Sequence, residues 1–191
     1  MGILNATPDS FYAGSRTQTE AEIAARVHQI VDEGAGIIDV GAYSSRPGAD
    51  DVPAEEEARR LRHALGIVRR EAPDAIISVD TFRADVAKMC VEEGGAHIIN
   101  DISGGTLDKN MFRTVARLRV PYILMHIQGE PHTMQQAPHY DNLEQEVFLF
   151  LSQRVDQLRQ LGVADIILDP GFGFGKTLAH NYELMNRLED F

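Results

Sequence analysis

The sequence contains no tryptophan and a single cysteine, Cys90. One cysteine excludes an internal disulfide and any zinc site built from several thiolates. Cys90 sits in "VAKMCVEEG", a helical pattern in which a packed thiol is expected rather than a nucleophile. Cations are scarce too. The chain has 18 Lys and Arg against 29 Asp and Glu, a net charge of -11, which disfavours nucleic acid and anionic membranes as partners. An anionic substrate would need a metal ion, backbone N–H groups or a few well-placed cations. No apolar run approaches membrane-spanning length, and no charged-then-apolar leader opens the sequence. The cytoplasm is the expected compartment. No Pro/Ser-rich linker divides the 191 residues, so a single domain over 1–191 is expected.

What is present is one theme repeated six times, a short β-branched run followed by a longer amphipathic segment. The runs are Met1–Asn5, Gly36–Gly41, Ala75–Asp80, His97–Asp101, Tyr122–His126 and Ile166–Pro170. They lack polar alternation until their last residues, the pattern of strands buried on both faces. Thr19 with Glu22 forms a capping-box signature for the first helix, with Ile23, Val27, Ile30 and Val31 on one face. Ala58, Leu61, Leu65 and Val68 stripe the second helix before Pro73, and the third carries Val86, Met89 and Val91 before Gly94-Gly95. Met111, Val115 and Leu118 mark a fourth before Pro121. The fifth runs from Asn142 to Leu161, and a sixth begins near Leu178 with Leu184, Met185 and Leu188 as its stripe.

Strict β/α alternation implies a parallel sheet, either doubly wound or a (β/α)8 TIM barrel. The strand ends discriminate. They read Asn5, Asp39, Asp80, Asn100 with Asp101, His126 and Asp169. A polar residue at one strand end is ordinary loop chemistry. Polar residues at all six fit the barrel, whose strand ends converge on one catalytic face, whereas a doubly wound sheet needs them only at its switch point. "DPGFGFGKT" is not a P-loop, because Pro170 stands where the first glycine must be, and its glycine spacing misses the dinucleotide fingerprint. Its glycines suit close backbone approach to a flat ligand, with Phe172 or Phe174 offering a ring face or, alternatively, simple core.

"MGILNATPDSF", "SSRPGA", "ISVDT", "HIINDI", "LMHIQGEPHTMQ" and "LDPGFGFGK", in this order, resemble the dihydropteroate synthase family from residue 1 to residue 191. The resemblance implies a (β/α)8 barrel, of which this chain encodes about six β/α units. It also implies an Mg²⁺-dependent transferase of folate biosynthesis, from a family that sulfonamides target, that condenses 6-hydroxymethyl-7,8-dihydropterin pyrophosphate with p-aminobenzoate. Carried onto matching positions, Asn5 would associate with Mg²⁺, while Ser45 and Arg46 would contact the diphosphate. Asp169, Asn100 and Asp80 would clamp the pterin edge, and Ile102, Met125 and Phe174 would line its faces. Phe11 and Pro47 would pack on the aminobenzoate ring, in loops spanning Thr7–Phe11 and Ser45–Pro47. Asp80, Asp169 and Arg46 would bear the catalytic charge stabilisation.

Three departures qualify the resemblance. Ser45 stands where the family usually has Thr, and Ala13 where it usually has Asp. The family's Ser-Arg-Lys and Arg-x-His motifs are not in this sequence. The chain is therefore expected to be a piece of the enzyme truncated at both ends, inactive and poorly soluble alone, and a homodimer when complete. The alternatives are a pterin-binding methyltransferase barrel that serves a corrinoid, for which "SSRPG" and "TPDSF" have no use, or an inert pterin-binding fragment.

Overall fold

The computed structural model of the chain describes residues 1–7, 19–43, 52–131 and 133–191. Strands and helices alternate along it: β1 (Gly2–Asn5), α1 (Glu20–Asp32), β2 (Ile37–Gly41), α2 (Ala54–Glu71), β3 (Ile76–Asp80), α3 (Ala84–Glu92), β4 (Ile98–Asp101), α4 (Met111–Leu118), β5 (Tyr122–Met125), α5 (Leu143–Gln160), β6 (Ile166–Asp169) and α6 (Leu178–Asn186), with a final 3₁₀ turn at Leu188–Asp190. The six strands form one parallel sheet in sequence order. This is the strand order of consecutive units of a (β/α)8 barrel, in which every crossover joins neighbours.

Local chemistry sets the helix boundaries. Thr19 accepts from the Glu22 N–H and Glu22 reaches back to the Thr19 N–H, the expected capping box. Asn142 caps α5 through the Gln145 N–H at 3.0 Å. Ile23, Val27 and Ile30 of α1, and Leu61, Leu65 and Val68 of α2, are buried against one face of the sheet. Burial of each such side chain is worth about 1.5–3 kcal/mol.

The parity of the strands decides what reaches the other face. A side chain at Gly2 would collide with Ile30 of α1, so Gly2 and Leu4 face the helices. A side chain at Gly41 would instead lie beside Asp80 and Asn5, so those three share the concave, inner face. Strand register then aligns Asn5, Gly41, Asp80 and Asn100 side by side, with Ile3, Asp39, Ser78 and Ile98 one row deeper. Met125 and Asp169 pair in the same way between β5 and β6.

The structure corrects three details of the pattern. The runs are not all buried on both faces: Ile3 and Ile167, on edge strands β1 and β6, are 56% and 46% exposed. Each has a neighbouring strand on one side only. Val31 of α1 is exposed, as are Leu178, Met185 and Leu188 of the last helical region, where only Leu184 is buried. Helical spacing put these residues on one side of a cylinder, but among the described residues nothing buries them.

Candidate active site

At the C-terminal end of the sheet the inner-face residues form a short polar row. Asn5 Oδ1 and Asp80 Oδ2 lie 3.7 and 3.5 Å from where a Gly41 Cβ would sit, so glycine leaves open the volume that both oxygens border. Beside them Asn100 Nδ2 donates to Asp39 Oδ2 at 3.1 Å. That bond orients the Asn100 amide, because its donor end is committed to a carboxylate. Asp39 was legible as a strand-end acid, but its role as partner of Asn100 required the register. Its Oδ1 and the facing Ser78 Oγ are buried without a well-formed hydrogen bond. Burial raises the Asp39 pKa, against the lowering influence of Ser78 and Asn100. Burial also pushes Asp80 well above the usual carboxylate range, reinforced by the negative charges of Asp39, Asp101 and Glu57. Such a row favours a cationic group above it.

The donors fit a hard divalent ion. Asn5 and Asp80 offer two oxygens to one volume, and among the described residues no set of three or more His, Cys, Asp or Glu could hold a metal unaided. Two protein oxygens completed by substrate phosphates and water is how Mg²⁺ is commonly held.

An apolar wall adjoins this row. Ile102, Met125, Ile127 and Met134 are buried as a separate cluster, with Phe82 and Phe174 packed against it. The three expected ring-face residues Ile102, Met125 and Phe174 are thus brought together. Phe174 is partly buried and packs against this cluster, which agrees with its reading as core. Asp169 ends β6 opposite Met125, and its Oδ1 accepts from the Gly171 N–H at 2.7 Å.

Not every polar strand end points inward. Asp101, one residue beyond Asn100, turns to the helix side. It accepts from Ser103 N and Oγ, both at 2.7 Å, from Gly105 N at 3.1 Å and from Tyr122 OH at 2.7 Å. Burial raises its pKa against these bonds, and burial also pushes the Tyr122 phenol well up. Its task is to fold the turn that carries Ile102. His126 likewise leaves the cleft: its Nδ1 faces Lys176 Nζ at 2.9 Å, beneath the Phe150 ring. Ser45, Arg46, Pro47 and Phe11 lie outside the described residues.

A buried ion pair was not anticipated. Glu57, fully buried on α2, accepts from Thr81 Oγ1 at 2.6 Å and from Arg83 Nη1. Arg83 Nη2 donates to the Val52 carbonyl, and its guanidinium lies over the Phe82 and Tyr43 rings. Arg83 thereby ties together Tyr43 and Val52, which flank 44–51. The run "AEEEARR" reads as a solvated first turn, and nothing in it singles out Glu57.

The His126–Lys176 contact has a measurable consequence. Burial, with the Lys176 charge second, lowers the His126 pKa from 6.5 to about 3. The unfolded chain therefore takes up this proton first. Stability from this group is complete above pH ~6.5 and is lost as pH falls toward 3, by at most about 5 kcal/mol at roughly 1.4 kcal/mol per unit. Asp39, Asp80 and Asp101, whose values are raised, contribute the opposite slope over acidic pH. The His126 part is isolated by difference. Urea midpoints for His126→Asn, which keeps an acceptor toward Lys176 but cannot titrate, should fall less between pH 6.5 and 4 than those of the unaltered protein. Parallel curves would show that His126 is not buried neutral.

The sheet's C-terminal edge thus carries an amide–carboxylate row beside an apolar wall of sulfur and aromatic groups, an arrangement with the chemistry to accept a flat, polar-edged ring. The chain belongs to the family described as "Pterin binding enzyme", which matches residues 1–191. It is 42% identical over 193 residues to the folic acid synthesis protein fol1 of Schizosaccharomyces pombe, covering 100% of this chain and 26% of that protein. It is 41% identical to the dihydropteroate synthase of Escherichia coli, covering 100% of this chain and 67% of that one. Among solved structures, the Yersinia pestis dihydropteroate synthase with a sulfonamide drug complex superposes with a TM-score of 0.91 at 37% identity, covering 99% of this chain and 68% of its own. The Xanthomonas albilineans dihydropteroate synthase in complex with 7,8-dihydropteroate gives 0.82 at 36% identity, with coverages of 99% and 66%.

Proposed function

We propose that this chain carries the pterin site of a dihydropteroate synthase, which joins 6-hydroxymethyl-7,8-dihydropterin pyrophosphate to p-aminobenzoate. The observation that carries the reading is the convergence of Asn5, Asp80, Asn100 and Asp169 on one end of one sheet, beside Ile102, Met125 and Phe174. In the reaction the bond between the pterin methylene carbon and the diphosphate oxygen breaks, and the diphosphate leaves with the electron pair. The arylamine nitrogen then bonds to that carbon and gives up a proton to water or to the departing pyrophosphate. Asp80 and Asp169 stabilise the positive charge that develops on the pterin, in a setting where water is largely replaced by fixed protein groups. Asn100, held by Asp39, presents its amide oxygen and remaining N–H to the ring's mixed edge. By the family resemblance, Ser45 and Arg46 would contact the diphosphate, and Phe11 and Pro47 the aminobenzoate ring. Asn5 with Asp80 would hold Mg²⁺, which when bound supplies charge neutralisation for the leaving diphosphate.

The same reading makes sulfonamides competitors of p-aminobenzoate, the assembly a homodimer and the compartment the cytoplasm. Among the described residues no helix is long and apolar enough to cross a membrane. The polypeptide as its gene encodes it should release one pyrophosphate per 7,8-dihydropteroate formed, only with both substrates present. Chelation should abolish the reaction and Mg²⁺ restore it. Methyl transfer from methyltetrahydrofolate to a corrinoid, without dihydropteroate formation, would overturn the reading.

A further inference from the structure

Lys176 is the most deeply buried lysine of the described residues, 3% exposed, and it belongs to no role assigned above. Its ammonium meets three acceptors that match its three protons: His126 Nδ1 at 2.9 Å, the Gly171 carbonyl at 3.0 Å and the Phe174 carbonyl at 3.0 Å, with the His126 carbonyl further off at 3.4 Å. Burying an ammonium is costly unless every N–H is satisfied, so a lysine placed here has to be matched by this geometry. The acceptors belong to two segments, the exit of β5, 50 residues before Lys176, and the glycine-rich loop after β6.

The bonds form a relay toward the cleft. Lys176 holds the oxygen of Gly171, while the N–H of the same residue is held by the Asp169 carboxylate at 2.7 Å. Phe174 is fixed at both ends of its peptide: its carbonyl accepts from Lys176, and its N–H donates to the Gly171 carbonyl at 3.1 Å. Its ring meanwhile packs on the Ile102–Met125 cluster.

We propose that Lys176 is a positioning residue that pins the glycine-rich loop to the end of β5 and so sets Asp169 and Phe174 for recognition of a pterin ring. The inference rests on the proposed function, since it takes a pterin as the ligand. Charge is secondary to hydrogen bonding in this role. Burial lowers the Lys176 pKa to about 8, opposed by the negative charge of Asp169, and Arg154 and His126 are the other ionisable groups around the staple. A neutral amine keeps two N–H donors for the two loop carbonyls and can accept from His126 in its other tautomer.

The test uses the polypeptide as its gene encodes it. Lys176→Met keeps most of the unbranched stem and removes every donor. Calorimetry with the dihydropterin pyrophosphate should show affinity reduced 10- to 100-fold, while KM for p-aminobenzoate changes less than 3-fold. Amide hydrogen exchange at Gly171 and Phe174 should accelerate without ligand. Lys176→Arg, which retains donors in a bulkier head, should lose less pterin affinity with the same selectivity, and it carries the test should the Met variant not fold. Unchanged pterin affinity in both variants, or equal losses for both substrates, overturns the positioning role. Faster exchange in a protein that in unaltered form binds no pterin refutes the functional reading, and the pterin-positioning role with it, while leaving the staple itself intact.

Discussion

Asp169→Asn should weaken binding of the dihydropterin pyrophosphate by 100-fold or more, roughly 3 kcal/mol, the cost of losing a charge-assisted pair and facing a donor with a donor. The geometry explains the size. Asp169 Oδ1 is committed to the Gly171 N–H. In the asparagine variant the amide oxygen keeps that bond, because Gly171 offers only a donor. The NH₂ group is then turned toward the cleft, where the amino-pyrimidine edge of a pterin presents its own N–H groups. The fold should tolerate the change, since the loop bond survives. Isothermal calorimetry with unchanged pterin affinity, or a large loss of thermal stability, would remove Asp169 from the site.

Gly171→Ala should destabilise the protein by about 3 kcal/mol or more and depress pterin binding with it. Two independent costs add. The Gly171 φ is +71°, a left-handed conformation that costs a non-glycine residue of order 1 kcal/mol or more. An added methyl would also overlap the His126 carbonyl oxygen and sit 3.2 Å from Met125 Cγ. The first of these is far inside contact distance, and its partner is backbone, so the loop itself has to move. That displaces the Lys176 staple and Asp169 together. Chemical denaturation should show a lowered midpoint with an unchanged slope. A variant as stable as the parent would mean that the loop does not lie directly on the β5 exit.

Asp169→Asn and Gly171→Ala probe different links of one chain of cause. The first removes a recognising group and spares the scaffold, and the second removes the space that lets the scaffold present it. The Lys176 variants fall between, because they loosen the loop without filling the gap at Gly171.

By itself the amino-acid sequence determined the alternation of strand and helix, the cap at Thr19, and the collection of polar residues at strand ends. Each of these is a local property, written in side-chain periodicity and in backbone groups a few residues apart. The family resemblance, not the spacing, assigned Ile102, Met125 and Phe174 to the faces of a ring. Only the tertiary structure decided which strand-end residues share the cleft. Asn100 and Asp101 are adjacent and equally polar, yet one joins Asp39 on the inner face and the other folds a turn among the helices. Consecutive strand residues point in opposite directions, and which parity faces inward is set by register against the neighbouring strand, which sequence spacing does not encode. Glu57 and Lys176 were hidden for the same reason. Each is charged and stands in a segment that reads as exposed, and each is buried because a partner 24 to 50 residues away satisfies it. Pairing across such distances is a property of the packed fold, and it is what selects, from six similar strand ends, those that share one site.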